Sequence, residues 1–134
     1  MKNAIINRKP QFIQGDSSIT DTIRLMISNK ISSVLIVNEE RDIIGIVTER
    51  DILRKISTLD LDMKLARPIR TIMARPVKFV YEESLISDIK MLHQNLHCRH
   101  FPVLKKKDSP TNLDSLVGIV STTDIFHYTL KSLP

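Results

Sequence analysis

Two short stretches of this chain carry residue types able to contact a sugar or a phosphate. Thr48-Glu49-Arg50-Asp51 and Ser121-Thr122-Thr123-Asp124 each set a hydroxyl three positions ahead of a carboxylate. Each follows an apolar run with a glycine near its start, Ile44-Gly45-Ile46-Val47 and Val117-Gly118-Ile119-Val120, and the two lie 73 residues apart. A strand that runs directly into a helix leaves the first backbone N–H groups of the helix without intrahelical partners, and these suit phosphate or hydroxyl oxygens. A carboxylate at such a corner can accept two hydrogen bonds from a ribose diol, and the Ser or Thr hydroxyl can bond sugar or phosphate. The same spacing also describes a capping box with Asp in place of Glu, in which both groups serve only the helix. The two readings are compatible.

The elements that must position these corners follow from periodicity. Ile19, Ile23, Met26 and Ile27 recur at helical spacing after the cap candidate Asp16-Ser17-Ser18, and Asn29-Lys30 ends that helix. Residues 33–37 read as a buried strand, 38–42 as a polar turn, 43–48 as the return strand, and 49 to about 57 as a helix. The second half repeats the order. A short helical turn covers 69–73, Pro76 stops it, a strand covers 77–80, and Glu83-Ser84 caps a helix carrying Leu85, Ile89, Leu92 and Leu96. Phe101-Pro102-Val103-Leu104 matches residues 34–37, and Pro102 marks a strand start or an edge. A loop over 105–115, a strand over 116–121 and a helix from about 122 to 130 complete it. Each half is strand-helix-strand-strand-helix, with the opening strand of the first weakly marked near Phe12-Ile13 and a linker over 58–68. The expected class is α/β or α+β, a duplicated small sheet with helices on one face. The expected division is 1–67 and 68–134. A lone half of about 65 residues would be marginal, so the two form one module.

Bulk properties exclude several classes. The apolar fraction of 42% and charged fraction of 26% are those of a folded globular chain. No apolar run approaches the ~18 residues of a membrane span, and the apolar stretch within Met1 to Arg8 is too short for a signal peptide. The single Cys98 cannot form an internal disulfide, which fits a cytoplasmic location. A net charge of +5 permits attraction to polyanions. However, the densest run, Lys105-Lys106-Lys107, reads as a solvated hairpin loop, and no Trp and no series of aromatics interleaved with basic residues supplies a nucleic-acid stacking platform. His93 and His97 could share a helix face, with Cys98, His100 and His127 nearby in sequence, but no carboxylate or second cysteine has matching metal-ligand spacing. Cys98 reads as a small buried hydrophobe. There is no Gly-rich phosphate loop and no serine-hydrolase elbow, so no catalytic role is expected.

The duplicated pattern resembles the CBS (cystathionine-β-synthase-type) domain pair, or Bateman module. The family's buried strand, turn, and Gly-apolar-apolar-Ser/Thr-x-x-Asp-apolar segment appear twice, its apolar-Pro-Val form stands at Phe101-Pro102-Val103, and Ile72-Met73-Ala74-Arg75-Pro76-Val77 matches its inter-repeat segment. The resemblance covers about residues 10 to 132. It implies a three-stranded sheet and two helices per repeat, clefts between the repeats, and frequent dimerisation. It also implies adenosine ligands: AMP, ADP or ATP, sometimes S-adenosylmethionine or NAD. Members are sensors acting on an attached or partner protein, not catalysts. Carried onto this chain, Asp51 and Asp124 would hold ribose hydroxyls, with Thr48, Ser121 and Thr123 beside them. Ser32, Ser33 and Val34 in repeat one, and Arg99, His100 and Phe101 in repeat two, would lie by base and phosphate, with Val77 and Phe79 flanking the base. The basic pair Arg99-His100 stands where the other repeat has the uncharged Ser32-Ser33, so the Asp124 site is expected to favour phosphate-bearing ligands. The expected function is therefore a homodimeric adenosine-nucleotide sensor signalling to an effector protein. The alternatives are a dimerisation module with empty clefts or a basic nucleic-acid-binding accessory protein.

Overall fold

The computed structural model describes residues 5–56, 65–96, 99–131 and 133. The chain forms two compact units, one of residues 11–77 and one of residues 1–10 with 78–134. In the first, β1 (Phe12–Gln14), α1 (Ile19–Asn29), β2 (Ser33–Val37), β3 (Ile43–Thr48) and α2 (Glu49–Ile56) follow in order. In the second, β4 (Val80–Tyr81), α3 (Leu85–Leu96), β5 (His100–Leu104), β6 (Leu116–Ser121) and α4 (Thr122–Lys131) repeat that order. Each unit holds one three-stranded sheet, β1-β2-β3 or β4-β5-β6. In each, the central strand is parallel to the first and antiparallel to the third. This is the expected α+β repeat, and the weakly marked opening strand of the first half is present at Phe12–Gln14.

Local chemistry explains the element ends. Ser18 caps α1 by accepting the Asp21 N–H at 3.0 Å, and Lys30 ends it in the left-handed region at φ 53°. β2 and β5 read as continuous apolar runs because they are central strands, covered on both faces. The first unit packs Ile19 and Met26 of α1 and Ile52 of α2 onto Val34, Ile36 and Val47, with Ile69. The second packs Leu85 and Ile89 of α3 onto Val80, Phe101, Val103 and Val120, with Ile5 and Ile6.

The opening strand of the second repeat differs from expectation. It starts at Val80, not at residue 77, and Val77 and Phe79 precede it as half-buried irregular chain. In the first unit the Leu35 N–H donates to the Gln11 carbonyl (3.0 Å) and so holds the chain entering β1 against β2. The equivalent residue of β5 is Pro102, which has no N–H to give. Pairing therefore begins one step later, at Val80 opposite Val103. Pro102 itself is neither a strand start nor on an edge strand. It is buried in the centre of β5, opposite Ile119 of β6.

The compact units do not divide where the sequence repeats do. The expected boundary at 67/68 falls within the first unit, which extends to residue 77, and residues 1–10 join the second. Each unit borrows an edge segment from the other repeat's sequence. Ala74 bridges Ile46 of β3 through paired backbone bonds of 2.9 and 3.2 Å. Asn7 bridges Ile119 of β6 in the same way, at 2.8 and 2.9 Å. This explains the repeated glycine. Neither Gly45 nor Gly118 has positive φ. A Cβ on Gly45 would lie 2.3 Å from Met73 Sδ, and one on Gly118 would lie 2.3 Å from the Asn7 carbonyl oxygen. Glycine stands there so that the borrowed segment can lie against the strand.

Candidate functional site

Each repeat builds the same corner where its last strand becomes its last helix. At the first, the Thr48 N–H and Oγ1 donate to Asp51 Oδ2 at 2.9 and 3.0 Å, and the Asp51 N–H returns to Thr48 Oγ1 at 3.3 Å. At the second, the Ser121 N–H donates to Asp124 Oδ2 at 3.3 Å and the Asp124 N–H to Ser121 Oγ at 3.0 Å. These are reciprocal capping boxes, so the structural reading of the motif holds in both copies. The bonds run through Oδ2 of each carboxylate, and a carboxylate has acceptor positions on both oxygens.

A further bond ties each corner to the entry of the central strand. The Glu49 N–H donates to the Ser32 carbonyl at 3.0 Å, and the Thr122 N–H donates to the Arg99 carbonyl at 2.8 Å. Sequence reasoning missed these backbone anchors, which no side-chain pattern announces. Strand register then places Ser33 opposite Thr48 and His100 opposite Ser121. Thus Ser32, Ser33, Thr48 and Asp51 gather at one corner, and Arg99, His100, Ser121 and Asp124 at the other, with Thr123 exposed on the first turn of α4. Arg99 and Asp124 are exposed, while His100, Ser121, Thr48 and Asp51 are half-buried. The second corner adds an exposed guanidinium where the first has a neutral hydroxyl.

Two expected contact residues do not present their side chains. Val34 and Phe101 are 0% exposed and belong to the two cores, because the second residue of each central strand points into its unit. They can serve a ligand only through backbone atoms. Val77 lies in the first unit and Phe79 in the second, each half-buried. Among the described residues no three His, Cys, Asp or Glu side chains gather as metal ligands. His97, Cys98 and most of the expected linker lie outside the described residues.

Because hydroxyl and carboxylate act as a unit, Asp51→Ala is expected to cost about 1 kcal/mol of stability. Adding Thr48→Ala should then cost clearly less than Thr48→Ala does alone. Urea unfolding of the three variants checks this, and strictly additive losses would rule out a reciprocal box.

The first unit also carries a feature that the sequence reading did not find. An open groove of about 570 Å³ runs between α1 and α2, lined by Ile23, Met26, Ile27, Ile31, Ile52 and Leu53, with Lys30, Ser32 and Glu49 also lining it. Its signal was present in the sequence as Ile27 and Leu53, apolar residues in excess of those the core uses.

The fold and the duplicated corners are those of a tandem CBS module. The CBS domain family matches residues 2–58 and 69–131, and the chain belongs to it, with two copies. A 17.7 kDa protein of Acidianus ambivalens is 27% identical over 121 residues, 90% of this chain and 68% of that one. The carnitine transport ATP-binding protein of Listeria monocytogenes is 24% identical over 129 residues, 96% of this chain but 29% of that protein. The crystal structure of a CBS domain pair in complex with 5′-methylthioadenosine and S-adenosyl-L-methionine superposes with TM-score 0.80 at 23% identity, covering 98% of this chain and 96% of that one.

Proposed function

We propose that this chain is a regulatory module that binds an adenosine nucleotide, AMP, ADP or ATP, at its strand-to-helix corners and signals to a partner protein. In this reading it works as a cytoplasmic homodimer and is not an enzyme. The observation that carries the reading is the duplicated corner, which sets a carboxylate, a hydroxyl and the first-turn N–H groups of a helix together. The adenosine ligands of the similar CBS pair support the ligand class. An effector partner is supported by the Listeria transport protein, where the similar region is 29% of a longer polypeptide. Exposed Ile27, Leu53, Phe126 and Leu130 on the helices support a dimer. Among the described residues no helix is long and apolar enough to cross a membrane. Ligand shifts the module only by its differential affinity for two arrangements.

The Asp124 corner is the stronger phosphate site in this reading, because Arg99 offers a planar donor fork where the other corner has Ser32. A thermal-shift series with AMP, ADP, ATP, NAD, S-adenosylmethionine and GTP tests the proposal on wild type, Asp51→Asn and Asp124→Asn. At the third helical position an Asn side-chain oxygen can still accept the Thr48 or Ser121 N–H as the carboxylate does, so the box is kept while the charged diol acceptor is lost. At ~100-fold over Kd a ligand adds about 2.7 kcal/mol, a rise of several degrees. The expected result is a rise with one adenosine ligand that Asp124→Asn abolishes and Asp51→Asn leaves intact. The reverse pattern would overturn the ranking of the corners. The second reading, a dimerisation module with empty clefts, is favoured by the capping bonds that already employ both carboxylates. No shift with any of the six compounds would select it.

A further inference from the structure

We propose that the end of the second unit where β5 turns toward β6 is a docking surface for an acidic segment of a partner protein. This rests on the partner of the proposed function and gives it a place to bind. The surface gathers cations from two distant stretches of the chain. Lys105, Lys106 and Lys107 are exposed on the loop that follows β5. The antiparallel bridge of Asn7 to Ile119 carries the exposed Arg8 and Lys9 toward the start of β6, where that loop ends. The turn after β4 holds both stretches. Arg8 Nη2 pairs with Glu82 Oε2 at 3.2 Å, and the Lys107 N–H donates to Glu83 Oε1 at 3.3 Å. Among the described residues the three lysine ammonium groups enter no ion pair.

The fold does not require lysine here. The equivalent β2–β3 hairpin of the first unit forms with Glu39, Glu40, Arg41 and Asp42. The loop itself is ordered by neutral groups: the Lys106 N–H donates to Ser109 Oγ at 3.1 Å and the Ser109 N–H to the Lys106 carbonyl at 3.0 Å. The second unit has ten Lys and Arg against six Asp and Glu, the first ten against nine, so the excess of cations lies on the unit that bears this surface. Glu82, Glu83 and Asp108 stand among the five cations. They would repel a continuous phosphate backbone or an anionic bilayer. A polypeptide segment can set carboxylates against the lysines and its own N–H and hydroxyl donors against these acids. Complementary charge of this kind steers encounter and fixes register.

The surface is separate from the nucleotide corner. β5 starts at His100, opposite Ser121, and ends at Leu104, where the basic loop begins. Four residues of strand span about 13 Å, beyond a Debye length of about 8 Å in physiological salt. Partner and nucleotide can therefore be held together, and charge removed from the loop leaves the corner unchanged.

Labelled poly-L-glutamate at low salt is the probe. Wild type is compared with Lys105→Ser/Lys106→Ser/Lys107→Ser and with Arg24→Gln/Lys90→Gln/Lys131→Gln, a control that loses the same charge at exposed helix positions. The loop variant is expected to bind about tenfold more weakly or worse, and the control within about twofold of wild type. Arg8→Gln/Lys9→Gln should weaken binding about threefold. Equal losses in loop variant and control, or no binding by wild type, would overturn the surface. An unchanged Arg8→Gln/Lys9→Gln variant would overturn the gathering of the two stretches. Displacement of poly-L-glutamate by a DNA duplex or by phosphatidylserine vesicles at a lower concentration of charge would overturn the partner class. The nucleotide thermal-shift series, run on the loop variant, should match wild type. Absence of any nucleotide shift in wild type would fail the binding reading and leave the poly-L-glutamate result standing.

Discussion

Phe101→Ala is expected to destabilise the protein by about 3–5 kcal/mol without selectively weakening a bound nucleotide. Phe101 has no exposed surface and packs among Val80, Leu85, Ile89, Val103 and Val120. Truncation to alanine removes most of a phenyl ring from a close-packed interior, so lost transfer free energy and the new cavity act together. A domain of this size has about 5–15 kcal/mol of total stability, so the loss is a large fraction of it. The family resemblance implies that this residue lies beside the ligand, and that role predicts the opposite pattern: near-normal stability with weakened binding. Urea unfolding and ligand titration on the same variant separate the two. A loss below about 1 kcal/mol, with binding reduced, would return Phe101 to the site and contradict its burial.

The second large effect concerns a residue with no side chain. Gly118→Ala is expected to cost about 3 kcal/mol, and Gly45→Ala distinctly less, on the overpacking scale. The new methyl at position 118 would lie 2.3 Å from the Asn7 carbonyl oxygen and 2.6 Å from Ile6 Cγ2. Asn7 is held by two backbone bonds to Ile119, of 2.8 and 2.9 Å. Relief therefore requires residues 5–8 to lift from β6, breaking both bonds and re-exposing Ile5 and Ile6, which are 3% and 6% exposed. At position 45 the two atoms nearer than 3.0 Å are the Sδ and Cγ of Met73, which rotation of that flexible side chain can move away, leaving its Cβ at 3.0 Å to be relieved by a small shift. Urea unfolding supplies the energies, and hydrogen exchange at the Asn7 and Ile119 N–H groups shows whether the bridge opens. Equal costs at the two glycines, or a protected Ile119 N–H in Gly118→Ala, would sink the argument.

Much of this fold was legible because its signals are local. The order of elements follows from helical and strand periodicity, which needs no partner to be read. The corner motifs were legible because a capping box closes within four residues, and its bonds form in both copies as the spacing implies. The difference between Arg99-His100 and Ser32-Ser33 was visible because the repeats align without gaps from strand entry to strand centre, and register sets His100 and Ser33 opposite the two corner hydroxyls.

Other features lay outside the reach of local pattern. Pro102 suggests an edge when read alone, but an edge is defined by neighbours, and here the neighbouring strand simply begins after the missing N–H. Phe101 and Val34 stand next to polar site residues in the chain, and a strand turns consecutive side chains to opposite faces, so adjacency in sequence put them on the wrong side of the sheet. The glycine repeat looked like part of a ligand motif, yet its reason is a segment that approaches β3 and β6 from elsewhere in the chain. By itself, then, the sequence determined the duplication, the order of elements and the chemistry at the two corners. The tertiary structure alone decided which segment completes each sheet, which apolar residues are interior and which remain outside as a groove, because each of these depends on contacts between residues far apart in the chain.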